Sequence, residues 1–245
     1  MTHNKLQKVV VLTGGSRGIG RSIAQALWRD FTIVNLDKDD ASFELDGVQS
    51  MRLDVSDENL LKQAFETIRA EHGIPYALVN NAGISEPVNF RDLSLESWER
   101  QIKVNLTAPF LTSREFSRLE STNASETRKI INIASVSGMV GMPRYAAYNC
   151  AKSGLIELTK TLAVELAPVI HTCAICPGYI LTPMQRAEYS EDELMACAQE
   201  NPSRRLGSPD EVAELVSFIL SGKNNYLNGS IMVMDGGEIA GGMAS

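Results

Sequence analysis

The sequence predicts an α/β fold in which seven parallel strands form one doubly wound sheet with helices on both faces. Short β-branched runs alternate with segments of helical periodicity along nearly all of the 245 residues, which is the pattern of consecutive β–α–β units. Right-handed crossovers place helices on both faces of such a sheet. Because 44% of the residues are hydrophobic and no linker or repeat interrupts the pattern, we expect one domain spanning residues 1–245.

Each predicted strand is a short apolar run, and each predicted helix carries an apolar stripe. The first strand reads KVVVLT, which suits a strand buried on both faces. The last helix opens with Ser208, Pro209 and Glu211, which offer an N-cap, a proline at the first helical position and a capping-box glutamate. The predicted strands lie near residues 8–13, 32–36, 49–53, 76–79, 129–134, 171–175 and 230–234, and the predicted helices near 19–29, 57–71, 95–120, 147–166 and 209–221.

Composition and charge exclude several classes of partner. A net charge of −7 argues against nucleic acid as the main partner. The apolar runs fall short of the roughly 18 residues that a membrane span needs, and the first residues lead at once into a strand, so we expect a cytoplasmic protein. Cys173 and Cys176 have redox-motif spacing but lie in a predicted strand, so we interpret them as buried hydrophobic residues. The three scattered histidines give no metal-ligand spacing, and no metal is expected.

A glycine-rich turn, GGSRGIG at residues 14–20, joins the first strand to the first helix. Glycines there permit a tight turn, let the backbone approach a pyrophosphate and let the helix pack closely on the strand. The helix amino terminus would point N–H groups and its positive dipole at the anion. The turn therefore predicts a dinucleotide site, although a plain glycine-rich turn is the alternative.

Ser135, Tyr148 and Lys152 form the second informative pattern. Tyr148 and Lys152 stand four residues apart and share one face of a predicted helix, so their polar ends can converge. A nearby ammonium favours phenolate and lowers a phenol pKa from its usual value of about 10, and the Ser135 hydroxyl can hold a substrate oxygen. Such a set suits proton transfer at a carbinol oxygen; the alternative is an amphipathic helix with an interfacial tyrosine and a solvated lysine.

In this context the chain resembles a single-domain short-chain dehydrogenase/reductase, of the 3-oxoacyl-carrier-protein reductase type, over residues 8–237. The spacing G-x-x-x-G-x-G after Thr13 is that of the family. Further matches follow in the family's order: Asp54 and Val55, the NNAG turn at residues 80–83, Asn105, Ser135, Tyr148 with Lys152, the segment from Pro177 to Thr182, and the DGG turn at residues 235–237.

The resemblance implies a Rossmann-like fold and a role for each matched residue. It makes Tyr148 the general acid/base, Lys152 the group that lowers its pKa and binds the nicotinamide ribose, Ser135 the residue that orients the substrate oxygen, and Asn105 a support for a water relay. The cofactor-binding residues that it implies are Gly14, Ser16, Arg17, Gly18, Ile19, Gly20, Asp37, Asp54, Val55, Asn81, Ala82, Gly83, Tyr148, Lys152, Pro177, Gly178, Ile180 and Thr182.

Asp37, at the end of the second strand, favours NAD over NADP. A carboxylate there accepts hydrogen bonds from the adenosine ribose and repels a 2′-phosphate. Arg17 and Lys38 point the other way, because NADP-dependent relatives place basic residues at these positions. We expect NAD, with NADP as the alternative, since the carboxylate excludes the phosphate whereas the arginine only permits it.

The implied enzyme is of the EC 1.1.1 type and transfers a hydride between a nicotinamide cofactor and a small secondary alcohol or ketone. The family places a substrate lid near residues 183–207, and a solvated surface segment is the alternative there. Candidate substrate residues, by position alone, are Ser135, Ser137, Met139, Arg144, Tyr148 and Tyr179, with Val140 and Met184 as further pocket candidates.

Three alternative functions remain open from the sequence. An NADP-dependent 3-oxoacyl-carrier-protein reductase has the same motifs, and its mark would be a basic patch for the acidic carrier, for which Arg128–Lys129 and Arg204–Arg205 are the candidates. A catalytically idle dinucleotide-binding regulator is disfavoured by the intact Ser, Tyr, Lys and Asn set. An epimerase or dehydratase of the extended family would need a further carboxy-terminal domain.

Two helices carry more apolar surface than one sheet face needs, which predicts a homo-oligomer. A helix packed on a sheet needs a single apolar stripe, and large exposed apolar patches are rare on monomers. The family resemblance points to a homotetramer built from these two helices. The residues concerned are Leu106, Phe110 and Leu111 in the first helix, and Leu155, Leu158, Leu162 and Leu166 in the second.

Overall fold

A computed structural model of the chain describes residues 8–41, 43, 45–120 and 126–241. Within these ranges, parallel strands pair in the order β3-β2-β1-β4-β5-β6-β7 to form a seven-stranded sheet. The predicted fold class is confirmed, and each strand lies within two residues of its predicted bounds. The strands are β1 (Lys8–Thr13), β2 (Phe31–Asp37), β3 (Val48–Arg52), β4 (Ala77–Asn80), β5 (Arg128–Ile133), β6 (Ile170–Pro177) and β7 (Ser230–Met234).

The strand order reverses at β1, which determines where a ligand can bind. β1 pairs with β2 on one side and with β4 on the other, so the connections that leave β1 and β4 diverge to opposite faces of the sheet. A crevice opens beyond the carboxyl ends of strands at such a reversal.

The helices that the sequence predicted are present, and the predicted lid is more regular than expected. Thr182 caps one short helix, and Ser190 with Glu193 forms a capping box at the start of a second, so the lid contains two helices where the sequence suggested an irregular polar segment. The helices are α1 (Gly18–Leu27), α2 (Glu58–His72), α3 (Leu95–Ile102), α4 (Ala108–Arg118), α5 (Ala146–Glu165), α6 (Pro183–Glu188), α7 (Glu191–Glu200) and α8 (Pro209–Leu220).

The helix predicted over residues 95–120 is interrupted by a turn of π-helix, Lys103–Thr107, between α3 and α4. Pro109 has no N–H group and cannot donate to the carbonyl of Asn105, so the regular α-helical ladder is broken there. The wider turn lies beside the crevice and brings Asn105 into the interior.

Apolar side chains cover both faces of the sheet. On one face, Ile23 of α1 and Val216 of α8 pack against alternate residues of the central strands, and both are fully buried. On the other face, Phe65 of α2 and Phe116 of α4 do the same. Burial of each such side chain contributes about 1.5–3 kcal/mol, so the two layers hold the sheet and its crevice in place.

The cysteines take the positions expected from the sequence. Cys173 and Cys176 are buried in β6, and all four cysteines of the chain, each within the described ranges, are free thiols. Among the residues that the structure describes, no group of three or more histidine, cysteine or acidic side chains is arranged to hold a metal ion. In the same part of the chain, no helix is both long enough and apolar enough to cross a membrane.

Candidate active site

A continuous cleft with an empty volume of about 1560 Å³ follows the carboxyl edge of the sheet, from the end of β2 to the lid helix α6. Its floor is made by the residues that end or follow β1, β2, β4, β5 and β6. The wall away from the sheet is made by the start of α5 and by α6. Most of the sequence-predicted cofactor and catalytic residues therefore come together along one surface.

The glycine-rich turn is packed too tightly for side chains at two of its positions. A Cβ at Gly14 would lie 2.8 Å from the Ala82 Cα, and a Cβ at Gly20 would collide with the Gly14 carbonyl oxygen. Gly14 also adopts a φ of 68°, which glycine tolerates without strain. The Asn81 amide donates to the Gly14 carbonyl at 2.8 Å, which locks the turn to the segment after β4.

The start of α1 fits a pyrophosphate. Arg17 occupies the N-cap position, and within the described part of the chain its side chain makes no capping hydrogen bond. The first N–H groups of α1 are thus left for a ligand, and Gly18 and Ile19 line the cleft at this point. An exposed helix amino terminus beside a close-packed glycine turn is a ready site for a diphosphate.

Asp37 lies where its carboxylate would contact the adenosine ribose of a bound dinucleotide. Its carboxylate lines the cleft and accepts hydrogen bonds from the Ser16 N–H at 2.9 Å and from the Asp39 N–H at 3.1 Å. Arg17 extends to Asp39, with 3.5 Å between their charged atoms. The arginine that argued for NADP is therefore paired with a second acidic residue at the surface.

Ser16 and Gly20 do not line the cleft, although the sequence assigned both to the cofactor. Ser16 is buried, and its hydroxyl donates to the Asp39 carbonyl at 3.0 Å. Gly20 supports the close approach of α1 to the turn. Both residues lie behind the cleft surface, and their assignment to the cofactor stays a prediction.

Asp54 and Val55 line the adenine end of the cleft, as the family resemblance implied. The Asp54 carboxylate accepts from both the N–H and the hydroxyl of Ser56, at 2.8 and 2.7 Å. Burial opposes ionisation of Asp54, but the Ser56 hydrogen bonds and the charges of Lys103 and Lys38 outweigh it and lower its pKa. A carboxylate is therefore maintained at this end of the cleft.

Asn81, Ala82 and Gly83 also line the cleft, and Asn105 holds the segment that follows them. The Asn105 side chain accepts from the Ile84 N–H at 3.1 Å and donates to the Ile84 carbonyl at 2.8 Å. Asn105 is fully buried and does not line the cleft. The structure thus places it behind the catalytic residues as a support, where the sequence had grouped it with them.

Ser135, Tyr148 and Lys152 meet at the closed end of the cleft. Ser135 follows β5 and accepts from the Ser137 N–H at 3.1 Å, which orients its hydroxyl. Tyr148 and Lys152 project from the first turns of α5, and the Lys152 ammonium lies 5.5 Å from the centroid of the Tyr148 ring. The Lys152 ammonium donates to the Ile133 carbonyl at 2.8 Å.

The electrostatics of this group differ from the sequence expectation. Burial raises the pKa of Tyr148 to about 12, the negative charge of Glu188 adds to the rise, and the Ser135 hydroxyl opposes it. Burial also lowers the pKa of Lys152 to about 8. The net shift of the Tyr148 pKa is therefore upward, opposite to the direction expected from Lys152 alone, because desolvation of the phenolate and repulsion by Glu188 dominate.

The segment after β6 completes the nicotinamide end. Pro177, Gly178, Ile180 and Thr182 all line the cleft. A Cβ at Gly178 would lie 2.5 Å from the Glu238 carboxylate, so the backbone at Gly178 packs closely against the Glu238 side chain. Every residue that the resemblance assigned to this segment is therefore at the cleft surface.

Some of the predicted substrate residues line the cleft and others do not. Ser137 and Tyr179 line the cleft with Ser135 and Tyr148, as does Met184. Met139 is 46% exposed and Arg144 is also exposed, and neither lines the cleft, because the chain turns outward between β5 and α5. Val140 is likewise exposed and outside it.

The sequence missed several residues at the substrate end. Tyr145, Glu188 and Tyr189 line the cleft, together with Met142, Gln185 and Glu238. Glu188 and Tyr189 reach the cleft only because α6 folds over it, and no local pattern in the sequence indicates that approach.

The cleft therefore joins a dinucleotide-shaped surface to a Ser–Tyr–Lys group, which defines a nicotinamide-dependent oxidoreductase. A family model described as enoyl-(acyl carrier protein) reductase matches residues 14–238. The chain belongs to the short-chain dehydrogenase/reductase family, and it is an enzyme that interconverts an alcohol and a carbonyl compound.

Relatives and solved structures that are named for different activities are similar to this chain over nearly its whole length. The 3-oxoacyl-[acyl-carrier-protein] reductase MabA of Mycobacterium tuberculosis is 34% identical over 233 residues, covering 95% of this chain and 93% of the relative. The cyclopentanol dehydrogenase of a Comamonas species is 34% identical over 245 residues, covering 95% and 97%. The ligand-free aldohexose dehydrogenase of Thermoplasma acidophilum superposes with a TM-score of 0.87 at 30% identity, covering 95% and 94%.

Proposed function

We propose that this protein is a dehydrogenase that uses NAD to interconvert a small secondary alcohol and its ketone, with Tyr148 as the general acid/base. The observation that carries the proposal is the convergence of Ser135, Tyr148 and Lys152 at the end of the cleft where Pro177 to Thr182 would hold a nicotinamide. Relatives named for cyclopentanol and for an aldohexose support a small substrate.

The residues at the closed end of the cleft would have the following roles in the reaction. Ser135 holds the substrate oxygen, and the Tyr148 phenol gives a proton to that oxygen during reduction or takes it during oxidation. Lys152 supplies positive charge beneath the phenol and a donor toward the nicotinamide ribose. A bound nicotinamide supplies hydride transfer at its ring, and the protein supplies position and electrostatics. With a pKa near 12, Tyr148 is a protonated phenol at neutral pH, so it is ready to act as the acid.

Asp37 supports NAD as the preferred cofactor. Its carboxylate is fixed by two backbone N–H groups at the cleft surface, where it would accept from a ribose hydroxyl and repel a 2′-phosphate. The pairing of Arg17 with Asp39 engages the charge of the arginine that would otherwise favour a 2′-phosphate. NADP remains the alternative through Lys38, which also lines the cleft.

The reductase named for the carrier-protein substrate is the second candidate function, favoured by the similarity to MabA. The surroundings of the candidate basic residues disfavour a carrier-docking patch. Arg128 and Lys129 are both buried in β5, and exposed Arg205 forms a two-point ion pair with Glu211 at 2.6 and 2.9 Å. The alternative of an idle regulator is disfavoured by the assembled Ser–Tyr–Lys group.

We further propose one domain, a lid, a cytoplasmic location and a homotetramer. Thr182, Met184 and Glu188 line the cleft from one side, which supports a substrate lid near residues 183–207. The free thiols suit a reducing compartment. Of the residues that the sequence assigned to the subunit interface, Phe110 is 43% exposed, whereas Leu111 and Leu155 are buried in the core of the chain itself. Val164, on the same helix as Leu155, is 82% exposed.

The test is a panel of secondary alcohols and ketones with NAD and NADP in parallel, followed by absorbance of the reduced cofactor. Turnover of small alcohols with NAD supports the proposal. Turnover confined to 3-oxoacyl thioesters with NADPH would favour the reductase alternative instead.

A further inference from the structure

Three tyrosines and one glutamate form a hydrogen-bonded wall at the substrate end of the cleft. The Tyr145 hydroxyl lies 2.8 Å from the Glu188 carboxylate and 2.8 Å from the Tyr189 hydroxyl. The Tyr179 and Tyr189 rings pack edge to face with centroids 5.9 Å apart. All four side chains line the cleft, and we call Tyr145, Tyr179, Glu188 and Tyr189 the tyrosine wall.

The direction of the hydrogen bonds within the tyrosine wall follows from its proton count. Tyr145 has one O–H group, which it donates to Oε2 of Glu188, so it must accept from Tyr189. Burial, reinforced by the hydrogen bonds with Tyr189 and Glu188, raises the pKa of Tyr145 far above its ordinary value, so this phenol keeps its proton. The hydroxyl protons of Tyr189 and Tyr145 are therefore already donated, and Glu188 is the final acceptor of these hydrogen bonds.

Oxygen atoms that lack a donor remain beside the tyrosine wall. The second carboxylate oxygen of Glu188, Oε1, is buried and has no hydrogen-bond partner among the described residues. Within the same described ranges, the Gln185 Oε1 and the Glu238 Oε2 are also buried without a partner, and both residues line the cleft. Buried acceptors are almost always paired in folded proteins, so these three oxygens indicate a ligand that donates hydrogen bonds.

The unpaired Glu188 oxygen lies close to the reacting group. The Tyr145 ring, which holds Glu188, packs edge to face on the Tyr148 ring with centroids 6.2 Å apart. The charge of Glu188 acts directly on the Tyr148 phenol. A substrate whose carbinol oxygen sits on Tyr148 would thus present its neighbouring carbon atoms to Glu188.

We propose that Glu188 accepts a hydrogen bond from a second hydroxyl group of the substrate, and that the substrate is a neutral polyhydroxylated molecule such as a polyol or a sugar. This inference rests on the proposed alcohol/ketone function and names its substrate class. A simple alcohol or an acyl thioester would leave the Glu188 oxygen unpaired, at a cost to binding. A carboxylate or phosphate on the substrate would be repelled by Glu188.

We favour a hydroxyl over an ammonium as the donor because this end of the cleft already holds one cation, and the amino alcohol in the experiment below tests that choice. Lys152 lies beneath the Tyr148 ring, 5.5 Å from its centroid, and a second positive group nearby would be repelled. A hydroxyl donated to Glu188 also disperses the carboxylate charge, which reduces its repulsion of the Tyr148 phenolate during proton transfer.

The test compares matched substrates that differ by one hydroxyl: cyclopentanol against cyclopentane-1,2-diol, and butan-2-ol against butane-2,3-diol, with 2-aminocyclopentanol as the cationic counterpart. The ratio of kcat/KM for the diol to that for the mono-alcohol is measured with NAD. We expect the wild-type enzyme to prefer the diols by about 10- to 100-fold. The substitution Glu188→Leu should bring the ratio near one, and Glu188→Gln, which keeps an acceptor oxygen, should reduce it by less.

Two further variants test whether the diol preference depends specifically on Glu188. Tyr145→Phe keeps the ring against Tyr148 but removes the hydroxyl that orients Glu188, so it should also lower the diol preference. Asp192→Asn, at an exposed acidic residue of α7, is the matched control and should leave the ratio unchanged. Circular dichroism melts establish that each variant folds.

Each result either supports or overturns the inference. A diol preference that survives Glu188→Leu would overturn it, as would a preference for the amino alcohol over both diols. If wild type oxidises cyclopentanol without preferring the diol, this inference fails while the proposed function stands. If no alcohol or ketone is converted, both fail.

Discussion

The Nζ of Lys152 lies 5.5 Å from the centroid of the Tyr148 ring and 2.8 Å from the carbonyl oxygen of Ile133. The ammonium is therefore held by the end of β5, beneath the phenol. This position is compatible with the two roles proposed for Lys152, which are to stabilise a developing phenolate and to donate to the nicotinamide ribose of a bound cofactor.

Replacing Lys152 by alanine should reduce both catalysis and cofactor affinity. The ammonium is needed near the phenolate and near the ribose, so we expect kcat to fall by about 100-fold or more and the Kd for NADH, from fluorescence titration, to rise by about tenfold. Lys160→Ala, at an exposed position of the same helix, is the control. A loss of rate with unchanged NADH binding would show that Lys152 does not contact the ribose.

The substitution Asp37→Ala should narrow the preference for NAD over NADP by about tenfold or more, since a hydrogen bond to a charged group is worth about 1.5–3 kcal/mol. The ratio of kcat/KM with NAD to kcat/KM with NADP measures this preference. Asp40→Ala, at a nearby acidic residue that pairs with Arg52 on the surface, is the control. Tighter binding of NADP than of NAD by the wild-type enzyme would contradict the assignment and point to Lys38 or Arg17.

Alcohol oxidation should accelerate with rising pH. Oxidation needs a phenol that accepts a proton, and burial together with Glu188 raises the Tyr148 pKa to about 12. The protonated form therefore dominates near neutrality, and kcat for oxidation should climb from about pH 7 until loss of the Lys152 proton, whose pKa burial lowers to about 8, opposes the rise. Removing the negative charge with Glu188→Gln should shift this rise to lower pH. A flat profile, or a shift to higher pH in the variant, would show that Tyr148 is not the titrating group.

Light scattering at micromolar concentration should give a mass about four times the 26.8 kDa of one chain. The exposed apolar residues Phe110 and Val164 should be covered by another subunit. The double substitution Phe110→Glu and Val164→Glu should then yield a smaller species, whereas Phe218→Glu on α8 should not. A wild-type mass near that of a single chain would reject the tetramer.

The cofactor half of the cleft was predictable because local patterns determine it. A β-branched strand that runs into the glycine turn fixes where α1 begins, and parallel strands bring Asp37, Asp54 and Asn81 to the same edge of the sheet. The spacing of Tyr148 and Lys152 on one helix likewise predicted their approach.

The substrate half depends on contacts that no local pattern encodes. Tyr145 meets Glu188 across 43 residues of sequence, and only the fold of α6 over the cleft brings them together. The direction of the Tyr148 pKa shift was missed for a related reason: helical spacing shows that a lysine is near, whereas desolvation and the approach of Glu188 are properties of the assembled site.

The most direct test of the account is the activity and cofactor binding of Tyr148→Phe. The substitution keeps the ring, whose packing holds this end of the cleft, and removes the hydroxyl that carries the proton. We predict a fall in kcat of at least about 100-fold for both oxidation and reduction, with the Kd for NADH nearly unchanged and with normal rates in the matched variant Tyr226→Phe, at a fully exposed tyrosine. Retention of more than about a tenth of the wild-type rate by Tyr148→Phe would contradict the proposed role of Tyr148 as the general acid/base.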